Sequence, residues 1–149
     1  IPDKAGAIAI GAGTIVQVVQ GTTGTQVRTG SNTLIDTGLS ATITPTSTSN
    51  KILVIVQQSG CHKDSSNTYG TLRLYRGSSH VITWEGQFGY NGANTANSIG
   101  TCGGQWLDSP ATTSATTYKT VFSSVNNNNW VYVQVANDNS TMTLIEVVV

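Results

Sequence analysis

Three groups of residues in this 149-residue chain have the types that do chemistry. Cys61, His62 and Asp64 stand close together, as metal ligands would. Their spacing matches no zinc pattern, and no third and fourth ligands accompany them, so they read as part of a polar loop. Glu85 and Asp108 could supply the two carboxylates of a glycan hydrolase if they met in space. Asp108 precedes Ser109 and Pro110, however, and reads more simply as a turn residue whose carboxylate accepts backbone N–H bonds. No Gly-x-Ser-x-Gly nucleophile motif occurs. No catalytic residue and no metal ligand is therefore assigned, and the chain is expected not to be an enzyme or to need a cofactor.

The third group is aromatic. Tyr69, Phe88 and Tyr90 border or occupy loops rich in Gly and Asn, with Asn91 and Asn94 alongside. An exposed ring flanked by amides suits a sugar: the ring face covers the C–H patch and the amides read the hydroxyls. Tyr69, Phe88, Tyr90, Asn91 and Asn94 are the candidate ligand contacts. The plainer alternative is that these rings seal an end of the domain or a subunit contact. Trp84, Tyr118, Phe122 and Trp130 fall within strands and are expected in the core.

The elements that must hold these residues are strands. Only 9% of residues are charged, and the bulk is Thr, Ser, Asn and Gly. Such a chain pleats readily into ribbons with one apolar and one hydroxyl face. Apolar spacing of the helical kind is absent. The β-rich runs are 14–20, 25–29, 33–37, 39–44, 51–58, 69–76, 80–85, 99–108, 115–122, 130–136 and 141–149, punctuated by Gly, Asn and Pro. Gly21–Gly24 reads as a turn, Gly38 as a bend, and Gly60–Asn67 as a loop. Within 51–58 the run from Leu53 to Val56 reads as a strand buried on both faces. About ten short strands predict an all-β fold, a two-sheet antiparallel jelly-roll sandwich.

Residues 14–149 are expected to form this single domain. Residues 1–13 are small and apolar, begin at Ile rather than Met, and lack the Leu-rich centre of a signal peptide. They read as an arm packing on a neighbour, or as a link to an upstream segment, which would make the chain a fragment or a processed product. Seven basic and seven acidic residues give zero net charge. That argues against nucleic acid as a partner, and no apolar run approaches the length of a membrane span. Apolar residues are 38% of the chain, a modest core that subunit contact would enlarge. Cys61 and Cys102 could close a loop of about 40 residues or remain free buried thiols; the scarcity of cysteine favours the second.

Four segments form a recognisable set: 39–54 (LSATITPTSTSNKILV), 72–79 (LRLYRGSS), 107–118 (LDSPATTSATTY) and the closing 142–146 (MTLIE). Together they resemble virion structural and tail-fibre-like domains of marine bacteriophages, especially those of cyanobacteria. In layout these are similar to the trimeric jelly-roll heads of the C1q and tumour-necrosis-factor type. The resemblance implies a homotrimer at a fibre tip or on the particle surface, among other virion proteins; a host surface polysaccharide is the ligand expected for the aromatic loops. It supplies no catalytic set. A capsid decoration protein and a stand-alone carbohydrate-binding module are the alternatives.

Overall fold

A computed structural model describes residues 11–64 and 66–149. The proposed arm falls mostly outside these residues; Gly11–Gly13 form a turn whose Gly13 N–H donates to the Val148 carbonyl at 2.7 Å. Ten strands follow: β1 (Ile15–Thr23), β2 (Val27–Thr29), β3 (Ile35–Ile43), β4 (Lys51–Lys63), β5 (Gly70–Arg76), β6 (Ser79–Phe88), β7 (Asn97–Asp108), β8 (Thr116–Ser124), β9 (Val131–Val133) and β10 (Ser140–Val147). A 3-10 turn over Val135–Asn137 joins β9 to β10. No α-helix occurs among the described residues.

All strand pairs are antiparallel and lie in two sheets. One runs β3-β8-β5-β6. The other places β1, β10, β4 and β7 side by side, with β4 at its centre. Beyond the start of β10, β9 takes over the same edge of β4, and β2 pairs with β9. The chain passes between sheets several times, which gives the jelly-roll sandwich that alternating hydroxyl and apolar residues predict.

Where the structure departs from the strand limits read in the sequence, glycine is the usual reason. Gly38 does not end a strand. It sits at φ +85° inside a bulge, and β3 continues through it. Gly60, at φ +61°, lets β4 run on to Lys63, so Cys61 and His62 are strand rather than loop. Gly21 is within β1, where the backbone of β3 comes so close that a Cβ would overlap the Ser40 carbonyl. In contrast, the strand expected over 130–136 shortens to three residues, because Gln134 turns left-handed at φ 53°.

The interior holds two apolar clusters. Leu39, Ile43, Ile52, Val54, Leu74, Tyr118, Met142 and Leu144 belong to the first. Cys61, Leu72, Phe88, Cys102, Phe122, Val131 and Val133 form the second. A buried polar belt separates them: on β3, β4 and β8 the residue between the clusters is Thr37, Gln58 or Thr120. The Thr37 and Thr120 hydroxyls meet at 2.5 Å, Thr120 Oγ1 donates to Gln58 Oε1 at 2.8 Å, and Gln58 Nε2 donates to Ser140 Oγ at 3.1 Å. Buried hydroxyls persist here because each finds a partner.

The two outer faces differ in chemistry. The sheet containing β3 shows solvent Asp36, Ser40, Thr42, Thr117 and Lys119, with Lys119 Nζ 2.8 Å from Asp36. On the other sheet, registered pairing sets Val18, Ile145, Leu53 and Leu107 in one row across four strands. Val18 is 57% and Leu107 47% exposed, and Ile55 in the next row is 38% exposed. The Leu53–Val56 run is therefore buried on one face only within a single chain: Val54 and Val56 point inward, Leu53 and Ile55 outward.

Candidate functional site

The candidate aromatic residues gather at the end of the sandwich where β4 leads into β5 and β6 into β7. Gly70 opens β5 and pairs with Phe88, the last residue of β6. Without a side chain at Gly70, the Phe88 ring lies across that backbone, where a Cβ would overlap it. Phe88 is thereby 1% exposed and part of the core. It departs from the expectation of an exposed ring, because its position at the strand end turns it inward under the loop.

Tyr69 and Tyr90 flank this pair and remain outside. Their rings meet edge to face, with centroids 5.6 Å apart at 86°. Tyr69 is half-buried and Tyr90 52% exposed. Asn91 shapes its own loop, accepting from Ala93 N at 3.1 Å and donating to Thr95 Oγ1 at 3.0 Å. Asn94 is exposed on the same loop. Of the five candidates, Tyr69, Tyr90, Asn91 and Asn94 thus share one end of the fold, with Phe88 as the anchor beneath.

Lys63, unremarked in the sequence, braces this end. Its side chain is fully buried, and its Nζ donates to the Ser66 and Ala93 carbonyls, both at 2.7 Å. One ammonium thus ties the β4–β5 loop to the β6–β7 loop. Asn97 Nδ2 adds a bond to the Gly89 carbonyl at 3.0 Å. The loops that carry Tyr69 and Tyr90 are thus tied to β4 through one buried side chain.

The other chemistry-bearing residues are placed elsewhere. Cys61 points into the core, while His62 packs edge-on against Tyr132 at 5.4 Å on the opposite side of β4. Burial lowers the His62 pKa. Among the described residues no three His, Cys, Asp or Glu side chains converge. Asp108 is tied to Arg76 Nη1 at 2.6 Å and to the Tyr118 hydroxyl at 2.7 Å, rather than capping a turn. Burial first, then Asp108, pushes the Tyr118 phenol above its ordinary range. Glu85 lies opposite Leu72, at the other end of β5 from Arg76, so the two carboxylates do not form a pair. Trp84 is half-buried. Trp130 is 38% exposed, against the expectation of a core residue; it precedes β9, rests on Gly30 and carries the Arg28 guanidinium 4.5 Å from its ring centre.

Glu146 is the most strongly engaged carboxylate. It is fully buried and accepts four hydrogen bonds: Gln17 Nε2 at 2.6 Å, Thr46 N at 2.7 Å, Thr46 Oγ1 at 2.8 Å and Asn50 Nδ2 at 2.7 Å. Burial works to raise its pKa, but these donors outweigh that and hold it at about 2. With Arg76, Asp108 and Tyr118, a pattern emerges. Of the four recognisable segments, the first is clasped to the last through Glu146, and the second to the third through Asp108. Their polar residues join strands at the ends of the sandwich away from Tyr69 and Tyr90.

Among the described residues, the fold and this end define an all-β, two-sheet jelly-roll domain with paired aromatic rings on its loops and one apolar outer face. No known protein family matches the chain, and no curated protein matches it.

Proposed function

We propose that this chain is a non-enzymatic structural domain of a bacteriophage virion, a surface or fibre-tip head that assembles as a homotrimer and contributes to attachment on a host surface glycan. The observation that carries the self-assembly is the apolar row Val18–Ile145–Leu53–Leu107 on the outer face of one sheet. Water-facing apolar side chains in register across four strands are a surface awaiting cover. Zero net charge leaves copies of the chain without mutual repulsion, which supports cover by another copy. The opposite sheet, with its hydroxyls and the Lys119–Asp36 pair, suits the outside of such an assembly.

The phage setting rests on the resemblance carried by the four segments. Glycan attachment rests on Tyr90 and Tyr69, an exposed aromatic pair braced from below by Lys63 and bordered by Asn91 and Asn94. Labelling intact phage particles with an antibody raised against the domain tests the assignment by electron microscopy. Label confined to the particle surface or fibre tips is expected. Particles that stay unlabelled, from a lysate in which the protein is abundant, would overturn it.

A further inference from the structure

Two buried thiols take no part in the assembly face or in the aromatic platform. Cys61 is 0% and Cys102 7% exposed, both are free, and both lie in the apolar cluster of Phe88 and Phe122. They sit on the paired strands β4 and β7, where the register runs Gln58 with Cys102 and Cys61 with Gly100. The chain takes three steps on β4 and two on β7 between those pairs, so a bulge brings the cysteines into a diagonal relation on the inward face. Gly60 at φ +61° and Gly100 at φ +78° make the bulge. The Cys61 thiol donates to the carbonyl of Gln58, the residue paired with Cys102, at 3.2 Å, and both side chains pack in the same cluster.

We propose that Cys61 and Cys102 form an oxidation site, a latent disulfide that locks β4 to β7 when the domain meets a hydroperoxide. Diagonal cross-strand positions lie just beyond disulfide reach, so closing the bond requires the two strands to shift. The glycine-made bulge gives the backbone the play to close the remaining gap. Access runs through a depression of about 430 Å³ that Cys102 borders together with Ile55, Gln57, Gly103 and Gly104; Ile55 lies on the assembly face, so the thiols react in the free chain and are shielded in the trimer. A peroxide molecule is small enough to enter it. The Cys102 thiolate attacks one peroxide oxygen, giving a sulfenic acid and releasing hydroxide. Cys61 then attacks the Cys102 sulfur and expels the sulfenic oxygen, which leaves as water with the proton of the Cys61 thiol. In sum, two thiols and one peroxide give one disulfide and two waters. The contact with Cys61 and burial both raise the Cys102 pKa, so the thiolate is scarce at neutral pH and closure is slow until pH rises.

The test treats the whole chain carrying Leu53→Asp and Leu107→Asp, which uncovers that face, with hydrogen peroxide at pH 7 and pH 9, blocks remaining thiols at low pH, and maps peptides by mass. The expected product has lost two hydrogens, contains a peptide joining Cys61 to Cys102, and forms several-fold faster at pH 9. Its Tm rises by about 5 °C, and dithiothreitol reverses both changes. Cys61→Ser is expected to gain oxygen on Cys102 with no rise in Tm. Uncovered-face protein whose thiols persist, or gain oxygens singly with no joined peptide, would contradict the proposal whether or not the Cys61→Ser variant folds.

Discussion

Asn50 donates its Nδ2 to Glu146 Oε1 at 2.7 Å, joining residues 96 positions apart. That bond closes the end of the sandwich where β3 gives way to β4. Pro45 terminates β3, and the following loop folds back so that Thr46 and Asn50 face the carboxylate. From the opposite side Gln17 brings in β1, with its Nε2 also donating to the Thr44 carbonyl at 2.8 Å. One ionised group therefore gathers three segments, β1, the loop after β3 and β10.

The consequence is a defined acid sensitivity. Glu146 titrates near 4.5 when unfolded and at about 2 when folded. A depressed pKa stabilises the fold fully above pH 4.5, and that contribution is lost as pH falls from 4.5 toward 2. Wild-type stability, followed by urea unfolding at each pH, is expected to decline across this window. Glu146→Gln should flatten the decline and cost about 2–3 kcal/mol at pH 7. A wild-type curve as flat as that of the variant would remove Glu146 from this role.

Phe88 and Tyr90 stand two residues apart and should respond oppositely to truncation. Phe88→Ala empties a core site beside Gly70 and is expected to cost about 3–5 kcal/mol by chemical denaturation. Tyr90→Ala removes an exposed ring, so stability should change by less than about 0.5 kcal/mol. If the platform binds sugar, Tyr90→Ala weakens retention on host polysaccharide by about tenfold or more while the fold is kept. Unchanged retention would take Tyr90 out of the ligand contact.

Gly21 tests how the two sheets meet at the β1–β3 edge. Gly21→Ala places a methyl group against the Ser40 carbonyl, a backbone atom that cannot rotate away. Overpacking of this kind is expected to cost about 1–3 kcal/mol. A neutral effect on Tm would mean the edge is looser than described.

The strands and the two-layer architecture were legible because Thr, Val and Ile alternate along most of them, as in Leu39–Ile43. Glycine was the hardest residue to read. At Gly21, Gly38 and Gly60 it permits close approach or a bulge within a strand, and local sequence gives the same signal for that as for a turn. The aromatic platform was legible in part. Tyr69 and Tyr90 could be placed from their polar loops, but the inward turn of Phe88 depends on Gly70, 18 residues away. Lys63 and Glu146 were not legible as braces, since their partners are loop carbonyls and amides that only the folded chain brings near. The double-sided burial expected for Leu53–Val56 is the most informative mismatch: a single chain supplies a core for Val54 and Val56 and leaves Leu53 and Ile55 uncovered.

That uncovered side makes the state of assembly the decisive measurement. Sedimentation equilibrium of the wild-type protein and of a Leu53→Asp, Leu107→Asp double variant addresses it at micromolar concentration. The account predicts three times the chain mass for the wild type, and a folded monomer, by circular dichroism, for the variant. A wild-type protein that sediments as a single 15.6 kDa chain, with the same thermal stability as the variant, would contradict it.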